Sequence, residues 1–114
     1  MNIEHLRNYA LSLPDVSEEF PFGNETLVYK VKGKIFMLCG MDSEPLQFNV
    51  KCDPDKALEL REQYPAIIPG YHMNKKHWNT VIIDGSLSFA LVKEMISDSY
   101  QLVWKSLPKK LREG

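Results

Sequence analysis

The chain has 114 residues, 44% of them hydrophobic and 25% charged, which suits one globular unit over residues 1–114 and no second core. Lys and Arg number 14 against 15 Asp and Glu, a formal charge of -1, so strong global attraction to polyanions is excluded and any nucleic-acid contact needs a local cluster of cations. No apolar run approaches the ~20 residues of a membrane-spanning helix, and no basic stretch leads into an apolar leader, so a cytoplasmic protein away from membranes is expected.

Ile3, Leu6, Ala10 and Leu13 recur at steps of three and four, which predicts a short amphipathic helix that Pro14 must end. From Asp15 to Asn24, Pro21 and Gly23 argue for a loop whose Phe20 and Phe22 need apolar cover. Three strands follow at residues 25–31, 34–40 and 46–51, the first two joined by Lys32-Gly33 as a tight antiparallel turn. In the third, Leu46, Phe48 and Val50 alternate with Gln47, Asn49 and Lys51, so one face is meant for a core and the other for water or a ligand.

Asp53 as N-cap and Pro54 at the first helical position open a second helix with Ala57, Leu60 and Tyr64 on one side, stopped by Pro65. Residues 67–71 read as a short extended piece broken by a turn, residues 78–83 as a further strand. Ser86 or Ser88 then caps a long helix to about Lys105, after which residues 107–114 are expected to fray. The order helix, three strands, helix, two strands, helix defines a two-layer α+β fold: an antiparallel sheet of about five strands with helices on one face.

Cys39 and Cys52 lack the spacing of a zinc knuckle or a redox pair and read as buried small apolar residues. His72 and His77 are five apart, off the i, i+4 spacing of helical metal ligands, and no acid or Cys completes a site. No phosphate loop, dinucleotide fingerprint or nucleophile elbow is present, so neither metal, cofactor nor enzymatic activity is expected. Glu18 and Glu19 beside Phe20 are adjacent residues, a poor arrangement for two opposed catalytic carboxylates.

The unusual stretch is Tyr71-His72-Met73-Asn74-Lys75-Lys76-His77-Trp78-Asn79-Thr80, with two lysines, two histidines and no acid. Lysines meet phosphates, Asn and His reach base or sugar edges, and Trp and Tyr offer rings for stacking. The same residues also suit a solvated turn followed by a strand whose Trp78 fills the core. Lys30, Gln47, Asn49 and Lys51 on the polar sheet face are candidates to lie beside this loop, whereas Lys105, Lys109, Lys110 and Arg112 fit a basic helix end.

Leu13-Pro14-Asp15-Val16, Glu18-Glu19-Phe20-Pro21-Phe22-Gly23, Lys51-Cys52-Asp53-Pro54, the run from Pro69 to Asn79, and Leu107-Pro108-Lys109-Lys110-Leu111 together resemble the MmcQ/YjbR family of small bacterial proteins along almost the whole chain. The resemblance implies a CyaY-like fold and a DNA-binding role with a double-wing arrangement of hairpins. Carried over residue by residue, it places Lys51, His72, Asn74, Lys75, Lys76 and Trp78 in the site. Weak, mostly sequence-independent DNA binding is the first expectation. The second is a non-catalytic small-molecule or peptide-binding module, with His72, Asn74, Lys75 and Trp78 facing Glu18 and Glu19 across a pocket. A monomer is compatible with either.

Overall fold

The structure, a computed structural model, describes residues 1–21, 23, 25–71 and 73–113. Asn2 caps the first helix, α1 (Ile3–Ser12): its side chain accepts from the His5 amide while the His5 ring accepts from the Asn2 amide. The strands are β1 (Val16–Glu19), β2 (Thr26–Val31), β3 (Lys34–Gly40), β4 (Gln47–Lys51), β5 (Ile67–Pro69) and β6 (Trp78–Ile82). Between β4 and β5 lies α2 (Pro54–Gln63), and after β6 come α3 (Phe89–Ser106) and a short α4 (Lys109–Glu113). Asp53 and Ser88 are the N-caps of α2 and α3, each accepting a backbone N–H three residues on.

All strand pairs are antiparallel, in the order β1-β2-β3-β4-β6-β5. The two-layer α+β expectation is met, with six strands in place of about five. The added strand is β1, where the sequence suggested only loop. Its inward positions are Val16 and Glu18, and a carboxylate pointing at a core breaks the apolar alternation that betrays a strand. Arg7 of α1 makes that placement tolerable, its Nε and Nη2 donating to the two Glu18 oxygens at 2.7 and 2.9 Å, while the Tyr29 hydroxyl donates at 2.8 Å. Phe20, expected to be covered, is 44% exposed, and Phe22 lies outside the described residues. Residues 109–113, expected to fray, form α4.

One face of the sheet carries the core. Leu27, Tyr29 and Val31 of β2, Met37 and Cys39 of β3, Phe48 and Val50 of β4, Ile67 of β5 and Val81 of β6 meet Leu6 and Ala10 of α1, Ala57 and Leu60 of α2, and Val92, Ile96 and Val103 of α3. The long helix crosses β2, β3 and β4, whereas α1 packs on β1 and α2 on β5. Phe36 and Tyr100 meet edge to face with ring centroids 5.5 Å apart, and the Tyr100 hydroxyl donates to the Pro14 carbonyl at 2.7 Å.

A bulge at Phe36 shifts the β2–β3 register between Tyr29 and Lys30. Ser99 of α3, fully buried, repairs its consequence. The Lys51 amide donates to Ser99 Oγ at 2.8 Å, and that hydroxyl donates onward to the Phe36 carbonyl at 2.5 Å. One side chain on the helix thus relays a hydrogen bond across the gap at the ends of β3 and β4. Both cysteines are free and buried, and burial pushes the Cys39 thiol up to about 12.

Two measurements probe this frame. Hydrogen bonds from Arg7 hold the Glu18 carboxyl below the ordinary glutamate range, against the opposing effect of burial. Its stabilisation is therefore complete above the unfolded-state glutamate pKa and is lost as pH falls through the depressed folded one. Glu18→Gln should lower the thermal midpoint at pH 7, and the gap to the parent should close as melts are repeated toward pH 3; a gap independent of pH would contradict the assignment. Ser99→Ala strands a buried carbonyl and an amide, and urea denaturation should show a loss of roughly 2–3 kcal/mol.

Candidate functional site

The face of the sheet opposite the helices is set by the same alternation. Thr26 and Lys30 of β2, Ile35 and Leu38 of β3, Gln47, Asn49 and Lys51 of β4, and Trp78 and Thr80 of β6 point there. Lys51, the last residue of β4, is the cross-strand partner of Trp78, the first of β6, so an ammonium and an indole share one end of this face. Both are half-buried.

The loop between β5 and β6 brings the remaining candidates to the same end. The Gly70 amide donates to the Trp78 carbonyl at 2.9 Å, and a Cβ on Gly70 would stand 3.0 Å from Trp78 Cβ, so this approach needs glycine. Asn74 shapes the turn: its side-chain Oδ1 accepts from the Lys76 amide at 2.9 Å, and its carbonyl accepts from the amides of His77 and Trp78 at 3.1 and 2.9 Å. Asn74 therefore acts on the backbone, and Lys75 and Lys76 are left exposed at the tip. Lys75 Nζ lies 5.2 Å from the centroid of the exposed Tyr71 ring. His72 lies outside the described residues.

Arg61, in the last turn of α2, grips this loop from behind. Its Nε donates to Asn79 Oδ1 at 2.7 Å, and its Nη2 donates to the Trp78 carbonyl at 3.2 Å and to the Lys75 carbonyl. A single planar guanidinium thereby joins helix, strand and turn. The Cys52 amide adds a bond to the His77 carbonyl at 2.7 Å, tying the end of β4 to the loop. Arg61 carries no signal in the sequence: it stands 18 positions from Asn79 and 14 from Lys75, beyond any local motif.

The site thus unites Lys51, Asn74, Lys75, Lys76 and Trp78, and among the described residues none of the three lysines is ion-paired with a carboxylate. Two other cations near the sheet and helices are engaged by carboxylates. Lys30, expected to join the patch, sits 2.7 Å from Glu19, and Lys56 lies 2.5 Å from Asp98, whose hydrogen bond holds that ammonium above its usual range. The expected pocket between this loop and Glu18 and Glu19 does not form. Those residues belong to β1, four strand steps or about 19 Å across the sheet from β6, and Glu18 faces the helices. A cavity of about 480 Å³ does lie on the face opposite the helices, lined by Thr26, Leu38, Gln47, Asn49 and Met73 among others. Met73 reaches it from the lysine loop, a contact the sequence did not announce. Among the described residues no three His, Cys, Asp or Glu side chains converge as metal ligands, and no helix is long and apolar enough to cross a membrane.

A six-stranded antiparallel sheet with this helix order and loop defines a family of small α+β proteins, and the YjbR family model matches residues 11–102. The chain belongs to the YjbR family. It is 45% identical over 107 residues to the uncharacterised protein YbdF of Escherichia coli O157:H7, covering 94% of this chain and 88% of that protein. Against the uncharacterised protein YjbR of Escherichia coli K12 the identity is 30% over 114 residues, covering 99% and 96%. The crystal structure of Deinococcus radiodurans protein DR2400 superposes with a TM-score of 0.92 at 41% identity, over 98% of this chain and 86% of that one. A Pseudomonas syringae crystal structure superposes at 0.77 with 28% identity, over 90% and 98%.

Replacing Arg61 by Met keeps the aliphatic stem and removes every donor. Urea denaturation should show a loss of about 2–3 kcal/mol, as for charge-assisted bonds left unmade. Amide exchange should also quicken at His77 and Trp78, whose donors lie in the turn; unchanged protection there would show that the turn holds its shape without the guanidinium.

Proposed function

We propose that the protein binds DNA weakly and with little sequence preference, through Lys51, Lys75 and Lys76 flanked by Asn74 and Trp78. The observation that carries this reading is the fixed display of cations. Lys75 and Lys76 project from a turn held by Arg61, Lys51 lies beside its base, and carboxylates elsewhere occupy Lys30 and Lys56. Held cations lose less freedom on meeting phosphates than cations on a mobile tail, which favours a small patch even in a chain with formal charge -1.

Two further features support binding rather than catalysis. The Cys39 thiol, pushed up to about 12 by burial, is not a nucleophile at neutral pH, and Glu18 is kept ionised by Arg7 rather than poised to exchange a proton. His72, which the family resemblance also assigns to the site, enters this reading only through that resemblance.

Three phosphate contacts set the magnitude. The logarithmic salt slope on duplex DNA should be about -2.7, an affinity loss of about 40-fold between 50 and 200 mM salt. Fluorescence anisotropy with a labelled duplex at low salt measures it. The Lys75→Ala, Lys76→Ala double variant should lose most of the affinity and bring the slope to about -0.9. Absence of binding to duplex and single strands at low salt overturns the proposal.

A further inference from the structure

The cavity on the face opposite the helices has a shape and chemistry that the lysine patch alone does not use. Gly40 stands in register between Thr26 and Gln47, with the Ser43 hydroxyl in the place a side chain there would take, 2.7 Å from where a Cβ would stand, and in the next row Leu38 faces Asn49. Ile35 and Leu38 give an apolar floor, Met73 lines the cavity from the lysine loop, and the volume, about 480 Å³, falls within the ~300–1,000 Å³ of small-ligand sites. Two amides line the wall. Thr80 Oγ1 donates to Asn49 Oδ1 at 2.5 Å, which turns the Asn49 amide hydrogens toward other acceptors, and the half-buried Gln47 adds a second amide.

An apolar floor, a thioether and two carboxamides in one lining suit a flat heteroaromatic ring read along its edge. Both walls then lead to a cation. Lys51 follows Asn49 by two residues on the same face of β4, about 7 Å along the strand, and Lys75 follows Met73 by two in the loop. Trp78, paired with Lys51, offers a further ring at the same end. A base in the cavity therefore has its phosphates directed toward ammonium groups free of carboxylate partners among the described residues.

We propose that this groove takes an unstacked base of a single-stranded nucleic acid, whose backbone runs past Lys51, Lys75 and Lys76. The proposal rests on the lysine reading above and goes beyond it by naming the strand form. A paired base inside a duplex cannot enter a cavity walled by a sheet and a loop, whereas a splayed base can. The phosphate contacts serve both forms and the groove serves one.

The test titrates a fluorescein-labelled 12-nucleotide single strand, the duplex of the same sequence and a competing mononucleotide against the full chain at 50 mM salt. The single strand should bind at least about tenfold more tightly than the duplex, and far more tightly than the mononucleotide, which spans one phosphate only. Gln47→Ala and Met73→Ala should each lower single-strand affinity about fivefold and leave duplex affinity and the single-strand salt slope unchanged. Both positions lie outside the buried core, and thermal melts confirm that each variant folds. The Lys75→Ala, Lys76→Ala variant should weaken both forms. Equal affinity for strand and duplex, or neutral groove variants while the lysine variant still weakens binding, overturns the groove and leaves the lysine patch standing. Equal affinity for the mononucleotide overturns the strand. No binding by any probe removes both readings together.

Discussion

A six-stranded sheet has two faces, and this chain has helices for one. The helix-facing positions take most of the buried apolar side chains, and the alternation of strand residues then obliges Thr26, Lys30, Gln47, Asn49, Lys51, Trp78 and Thr80 onto the opposite side, together with Val28, Ile35 and Leu38. One slip of register would exchange the two sets and bury polar groups and charges among leucines and valines. The polar face is thus specified by the same hydrophobic burial that holds the domain together.

Most of what matters at that face is held from behind it. Ser99 reaches through from α3 to secure the amide of Lys51, Arg61 reaches from α2 to the carbonyls of Lys75 and Trp78, and the missing side chain of Gly70 lets the loop close on β6. None of these three residues displays a group to solvent as part of the patch. They act on the backbone, and the backbone carries the side chains that face outward. The buried Asn79 shows the same economy at a cost: its Oδ1 serves Arg61, while its Nδ2 has no hydrogen-bond partner among the described residues.

Local rules made much of this legible in the sequence. Pro14, Asp53-Pro54 and the pair Ser86 or Ser88, of which Ser88 is the cap, marked helix ends because proline geometry and capping are nearest-neighbour effects, and Phe48 and Val50 against Asn49 and Lys51 marked both faces of β4. Long-range compensation hid the rest. Val16 to Glu19 reads as loop until Arg7 and Tyr29 are known to receive Glu18, and Lys30 reads as a free cation until β1 places Glu19 against it. The gathering of Lys51 with Lys75 and Lys76 was suggested by residue type, but the cavity that Met73 lines depends on which residues of β2, β3 and β4 share a row, a fact of register.

Arg61 binds main-chain oxygens, which every residue type carries, rather than the side chains at the loop tip. The shape of the turn is accordingly indifferent to what positions 75 and 76 display. Acids, aromatics or hydroxyls could stand at 75 and 76 on the same scaffold, whereas the donor at position 61 has no such latitude.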